Sequence, residues 1–187
     1  MNIRTVALVA ILFTAGAFLA SCQTDGNDGV DQETTFSSNH GQAGVVDPDS
    51  KKNILQIAAA SPDHTTLAAA VVAAEMENIL VNPGPLTVFA PTNAAFADLP
   101  EGTVEELLKP ENKRTLAKII TSHASPGTFA GDLLKPGSQI YLATGQYVDV
   151  EERDGDTYVN GAKILGTVDA SNGVVHVVDK VFLFPEE

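Results

Sequence analysis

Hydrophobic and polar positions divide the chain into three stretches of different character. Val6 to Leu19 is an uncharged apolar run behind a basic start, Arg4, and is broken by Gly16. It is too short to span a bilayer comfortably and has the three-part layout of a secretory signal. Residues 23–50 reverse the pattern: Gln23-Thr24-Asp25-Gly26-Asn27-Asp28-Gly29 and Thr34-Thr35-Phe36-Ser37-Ser38-Asn39-His40-Gly41 have few apolar side chains and no periodicity. Such a stretch cannot bury enough surface to offset its ordering entropy, so it reads as a tether. As a flexible coil its reach is roughly 30 Å. From Lys51 onward the periodicities of a folded domain begin.

In that domain Ile54, Leu55, Ile57 and Ala58 repeat at helical spacing. Pro62-Asp63 opens a second helix with Leu67, Val71, Ala74 and Ile79 on its apolar face, stopped at Asn82-Pro83-Gly84-Pro85. Leu86 to Ala90 is a strand that Pro91 ends, and Ala94 to Leu99 a turn or two of helix. Thr103-Val104-Glu105-Glu106 reads as a capping box opening a helix through Leu108. Pro110 or Glu111 begins another, with Leu116, Ile119 and Ile120 buried, ending near His123 and Pro126-Gly127. The last third is strand-rich: Ile140–Leu142, the alternating Tyr147–Glu151, Thr157–Val159, Lys163–Leu165, Val174–Val178, and Phe182–Phe184 before Pro185. Asp154-Gly155 and Asn172-Gly173 are hairpin signals. Helices crowd the first half and strands the second, which predicts an α+β fold without internal repeats.

The length, 187 residues, suits one domain plus a leader, and 44% apolar residues suit a globular core. The lone cysteine changes the picture. Leu19-Ala20-Ser21-Cys22 resembles the bacterial lipoprotein signal, in which the cysteine is acylated and becomes the mature N-terminus. The expected division is a signal peptide over 1–21, a lipid-anchored tether over 22–50 and a folded domain over 51–187. Cys22 is then the lipidation site, acyl chains are the membrane contact, and no disulfide forms. Gln23 in place of an aspartate favours the outer membrane or cell surface over the inner membrane. Net charge is −13; removing the leader takes away Arg4 and leaves −14. That surface repels nucleic acid and anionic headgroups and favours cations and basic partners.

No catalytic, metal or cofactor chemistry is expected. Asp25, Asn27 and Gly29 have the flavour of a calcium loop, but no glutamate closes the frame. His40, His64, His123 and His176 lack paired ligand spacing. Ser122 and His123 are adjacent on a helix and diverge by about 100°, no Gly-x-Ser-x-Gly elbow occurs, and no glycine loop cradles phosphate. The pairs Glu105-Glu106, Glu151-Glu152 and Asp154/Asp156 fall on solvated turns and faces.

Three segments carry a family resemblance: Leu86-Thr87-Val88-Phe89-Ala90-Pro91-Thr92-Asn93-Ala94-Ala95-Phe96, then Leu116-Ala117-Lys118-Ile119-Ile120-Thr121-Ser122-His123, then Asn172-Gly173-Val174-Val175-His176-Val177-Val178-Asp179-Lys180-Val181-Phe182-Leu183-Phe184-Pro185. Together they resemble the fasciclin domain, with two signature blocks flanking a Tyr-His element. The resemblance implies a compact wedge, a twisted β-sandwich of about seven strands with helices gathered around it, and a role in adhesion and extracellular interaction. The signature residues read as structural. Thr87 and Phe89 lie in the strand, Pro91 ends it, Thr92 and Asn93 satisfy amides at the next helix start, and Phe96 staples that helix to the sheet. Asn172 and Gly173 set a hairpin register, while His176 and Asp179 need internal hydrogen-bond partners. Within the Tyr-His element His123 matches and Ser122 stands in place of the tyrosine. These two are the candidate interaction residues, without the large amphipathic anchor that a tyrosine supplies.

Two functions follow as expectations. One is a non-enzymatic binding module of the cell envelope, with a protein or glycan partner at the surface or in the matrix. The other is a carrier or sensor of a small apolar ligand, in a groove left by Ala68-Ala69-Ala70 and Ala73-Ala74. An unfilled apolar pocket favours the second, and an exposed apolar patch the first. The outer face of the Tyr147–Glu151 and Thr157–Val159 hairpin is a possible self-association surface, discouraged by Glu151, Glu152, Arg153 and Asp154.

Overall fold

A computed structural model describes residues 51–184. The signal sequence, Cys22, the tether with its Asp25–Gly29 acidic cluster, His40 and Pro185 lie outside the described residues. No described helix is long and apolar enough to cross a membrane.

The first half is helical. Helix α1 (Ile54–Ala60) opens on a capping box: Asn53 Oδ1 accepts from the Gln56 amide and Gln56 Oε1 from the Asn53 amide. A 3₁₀ turn at Pro62–His64 leads into α2 (Thr65–Ala73), and α3 (Glu77–Val81) follows. The single helix expected over this stretch is therefore broken. Glu75 adopts φ 56°, its amide bonds to Val72 O and the Met76 amide to Val71 O, both at 3.0 Å. This is a Schellman stop with glutamate in the left-handed position where glycine is usual. Val71 and Met76 pack in the same apolar cluster and supply the hydrophobic contact that goes with the stop. Beyond the break Ile79 no longer shares the buried face and is 50% exposed.

Strand β1 (Leu86–Pro91) precedes α4 (Asn93–Ala97), α5 (Thr103–Leu107) and α6 (Lys113–Ser122). The capping box expected at Thr103 does not form. Thr103 is already the first helical residue; Gly102, at φ +81°, takes the cap position, and its carbonyl accepts from the Glu106 amide. The Glu106 carboxylate turns instead to Lys109 and Asn112.

The strands are β2 (Ala124–Pro126), β3 (Gln139–Tyr141), β4 (Tyr147–Arg153), β5 (Asp156–Val159), β6 (Ala162–Ala170) and β7 (Gly173–Val178). With β1 they make seven in the order β2-β1-β7-β6-β5-β4-β3. β1 and β7 are parallel, from Leu86 opposite Gly173 to Pro91 opposite Val178. The two ends of the order approach each other. Ala143 N donates to Ala124 O at 2.8 Å and Ser125 Oγ to Tyr141 O at 2.5 Å, so the sheet curls into a near-barrel. Phe182–Phe184, expected as a last strand, pairs with none and runs as an irregular segment.

β1 separates two cores. Val88 and Ala90 face the helices and join Ile54, Leu55, Leu67, Val71, Leu116 and Ile120. Phe89 faces the barrel interior with Ile140, Leu142, Val148, Val150, Val159 and Phe182. A strand buried on both faces reads as a near-continuous apolar run, as Val88-Phe89-Ala90 does. The small residues of α2 serve packing. Ala70 and Ala74 are buried, and the cavity that Ala68 lines with Leu67 and Val71 is only about 20 Å³. That is the space of one water. The ligand groove expected along Ala68–Ala74 is closed.

The hairpin turn before β7 is a junction as well as a register setter. Asn172 Oδ1 accepts from the Ile54 amide at 3.0 Å, its Nδ2 donates to Leu80 O and Asn82 O, and its carbonyl accepts from the Leu86 amide. One side chain thus joins the start of α1 and the end of α3 to the sheet. A Cβ on Gly173 would sit 1.8 Å from Leu86 O. Replacing Asn172 by alanine removes three side-chain hydrogen bonds and should lower urea-unfolding stability by about 3 kcal/mol. Gly173→Ala should cost more, because the clash is with backbone. Equal stability of Asn172→Ala and the parent would remove Asn172 as the junction.

Candidate functional site

Helix α6 sends Leu116 and Ile120 into the helical core and ends on the Tyr-His element. Ser122 and His123 are both 3% exposed. The carbonyl of Ile119 receives both side chains, Ser122 Oγ at 2.6 Å and His123 Nδ1 at 2.8 Å. His123 Nε2 accepts the backbone amide of Phe182 at 2.8 Å. These partners fix the neutral tautomer with the proton on Nδ1. The His123 carbonyl accepts from the Phe89 amide, so the residue touches α6, β1 and the C-terminal segment at once.

The imidazole begins a column of four rings. His123 stacks on Phe182 with centroids 4.7 Å apart and planes 12° apart. Phe182 leans on Phe89 at 5.4 Å, and Phe89 stacks on His176 at 5.6 Å. His176 Nε2 donates to Phe129 O at 2.6 Å, and Thr167 Oγ1 donates to His176 Nδ1 at 2.8 Å, giving the opposite tautomer. Burial pushes the His123 pKa down to about 4 against the pull of the Ile119 carbonyl. Burial also lowers that of His176, opposed by the Phe129 carbonyl. Ser122 and His123 are therefore internal groups. Their polar atoms are engaged within the domain, and Ser122 also lines the groove beside Phe182.

The other signature residues are accounted for by named partners. Thr87 Oγ1 donates to Gly127 O and accepts from the Phe129 amide. Thr92 caps α4 through the Ala95 amide, and Phe96 packs against the helical core. Asn93 serves a different helix from the one expected: its Oδ1 accepts from the Thr66 amide at the start of α2, and its Nδ2 donates to Pro62 O. Pro91 is the last residue of β1. Asp179 Oδ1 accepts from the Lys163 amide at 2.7 Å. Among the described residues no three His, Cys, Asp or Glu side chains gather as a metal-binding group.

What faces solvent here is a groove of about 280 Å³ alongside the clasp that His123 makes on Phe182. Ile119 and Ser122 of α6 form one wall, Phe182, Leu183 and Phe184 another, and Thr144 and Gln146 of the β3–β4 turn close it, with Lys118 at the rim. Leu183 is 52% exposed. Sequence reasoning missed this groove because it read Phe182–Phe184 as a strand. The available signal was the pair of phenylalanines just before Pro185, too few apolar residues to cover a strand's two faces.

Residues 62–184 match the Fasciclin domain, and the chain belongs to that family. It is 48% identical over 138 residues to protein sll1483 of Synechocystis sp., covering 73% of this chain and 76% of that protein. It is 33% identical to the cell surface glycolipoprotein MPB83 of Mycobacterium bovis, over 57% of this chain and 47% of that one. The fold is similar to a solved FAS1 domain pair from the insect cell adhesion molecule Fasciclin I. The TM-score is 0.62 at 17% identity, over 71% of this chain and 51% of that two-domain chain.

His123→Ala leaves the Phe182 amide unsatisfied and removes a stacked ring, so it should cost about 2–4 kcal/mol in chemical unfolding. The same residue sets a pH dependence. Its folded pKa lies below the unfolded value near 6.5, so the unfolded state binds more protons between pH 6.5 and 4. The contribution is fully present above pH 6.5 and is lost as pH falls towards 4, by about 3 kcal/mol in all. Unfolding free energies measured across that window should fall with pH, and His123→Ala should flatten the slope. A slope unchanged in the variant would assign the pH dependence to other groups.

Proposed function

We propose that this chain is a non-enzymatic binding module of the bacterial cell envelope, held by acyl chains on Cys22 and set off from the membrane by residues 22–50. It takes part in adhesion or matrix association through a protein or glycan partner, at the outer membrane or cell surface. The observation that carries this reading is the groove beside the His123–Phe182 clasp, where apolar side chains stay exposed on a domain whose cores are otherwise filled. An exposed apolar patch rimmed by polar groups marks an interaction surface. The histidines and Ser122 are engaged in holding the fold together. That MPB83 is a cell surface glycolipoprotein and Fasciclin I a cell adhesion molecule supports this reading.

Ser122 gives the groove a small residue where the family's Tyr-His element has a tyrosine. Ser122→Tyr would place a ring in or across it. In binding to whole cells and extracted envelope material, beside an acidic control protein of matched charge, the parent should bind saturably. Ser122→Tyr should bind at least about tenfold more weakly, the order expected when a central anchor contact is lost. Undiminished binding by Ser122→Tyr would exclude the groove as the contact surface. In cells, Cys22→Ser should move the protein from the membrane fraction to the soluble fraction and abolish incorporation of labelled palmitate. Membrane retention by that variant would exclude the acyl anchor.

A further inference from the structure

The outward face of β3, β4 and β5 holds every tyrosine of the chain, Tyr141, Tyr147 and Tyr158. Two rows on that face have related chemistry. In one, Glu151 lies opposite Tyr158, and the Arg153 guanidinium is held by the Glu151 carboxylate with its centre 5.1 Å from the Tyr158 ring centroid. The cation is thus shared between a carboxylate and a tyrosine face. In the other row Tyr141 lies opposite Tyr147, with ring centroids 5.1 Å apart and planes inclined by 56°. Gln139 lies opposite Asp149 on the same face, and the Gln139 amide donates to Asp149 Oδ1 at 2.8 Å. The tyrosines are 43% and 64% exposed.

Among the described residues, the second row has the carboxylate and the rings and no cation. Glu151 is matched by Arg153 and Asp156 by Lys163, whereas the partner of Asp149 is a neutral amide. Two inclined rings beside a carboxylate form an electronegative notch, because the negative quadrupole of each ring face adds to the charge. We propose that Tyr141, Tyr147 and Asp149 receive an arginine side chain from a basic segment of a protein partner. The guanidinium repeats in trans the arrangement that Arg153 makes in cis. It stacks on the tyrosine pair and takes up the oxygen of Asp149 that Gln139 does not use. Arginine suits the notch better than lysine, since its planar group stacks and bonds together. Charge favours such a partner over a second copy of this chain: a net charge of −13 steers basic segments inward and sets two copies against each other.

This names a partner's chemistry and so rests on the binding-module reading, but it uses a surface other than the α6 groove. The test uses residues 22–187 carrying Cys22→Ser, titrated at physiological salt with a flexible hexa-arginine peptide and followed through the tyrosine ring resonances. Tyr158, already covered by Arg153, is the internal control. The rings of Tyr141 and Tyr147 should shift saturably while Tyr158 stays. Asp149→Asn and Tyr147→Ala should each weaken binding about five- to tenfold, while Glu105→Gln, the same charge change on α5, should leave it unaltered. Hexa-lysine should bind more weakly than hexa-arginine. Equal weakening by Asp149→Asn and Glu105→Gln would reduce the effect to net charge and overturn the site. So would ring shifts produced by a neutral oligosaccharide but not by the peptide, or a dimer that Tyr147→Ala dissolves. Ser122→Tyr separates the two surfaces: it should leave peptide binding intact, and whole-cell binding that survives Tyr147→Ala would overturn this site alone.

Discussion

The arrangement around the C-terminal segment depends on one imidazole with both nitrogens committed. Phe182–Phe184 joins no sheet, so backbone pairing does not hold it in place. The His123 ring does, by accepting the Phe182 amide and stacking on the Phe182 side chain. This works only while the ring is neutral, and burial keeps it so by lowering its pKa to about 4. The far end of the ring column is fixed in the same way by His176, between Thr167 and the Phe129 carbonyl. A charged His123 would have two donors facing a site built for one donor and one acceptor, whereas the Thr167 hydroxyl beside His176 can turn to accept.

The groove follows from that clasp. With Phe182 drawn inward, Leu183 is turned out and Phe184 closes the wall opposite Ile119. The Tyr-His element thus shapes the groove through the backbone it positions. The fold keeps its two exposed features on separate elements: an apolar groove beside α6 and an acidic, tyrosine-bearing face on β3 to β5. Each is backed by a packed core.

Much of the fold was legible because the signals were local. Alternation marked Tyr147–Glu151 as a strand with one buried face, and Val148 and Val150 are buried as that period requires. Asp154-Gly155 takes the two positive φ values of a tight hairpin, 55° and 84°. The apolar stretch Val88-Phe89-Ala90 belongs to a strand between two cores. What was not legible depends on partners far along the chain. Asn93 caps α2 from 27 residues downstream, and Asn172 reaches helices more than 90 residues upstream. The stop at Glu75 could not be foreseen, since glutamate carries no preference for the left-handed region. Phe182–Phe184 has the apolar composition of a strand, but no neighbouring strand supplies its ladder. The candidate pair Ser122 and His123 was visible as a motif, and its burial was not, because the covering residues come from the other end of the domain.

Amide hydrogen exchange at Phe182 tests the clasp most directly, because that single N–H has an imidazole nitrogen as its acceptor. At neutral pH the amide should exchange on the order of a thousandfold or more slower than an unprotected one, as a hydrogen bond in the core does. Relative to the unprotected rate at each pH, the protection should fall as pH is lowered towards 4. Exchange at the unprotected rate at pH 7 would contradict the account, since the segment would then be held by something other than His123.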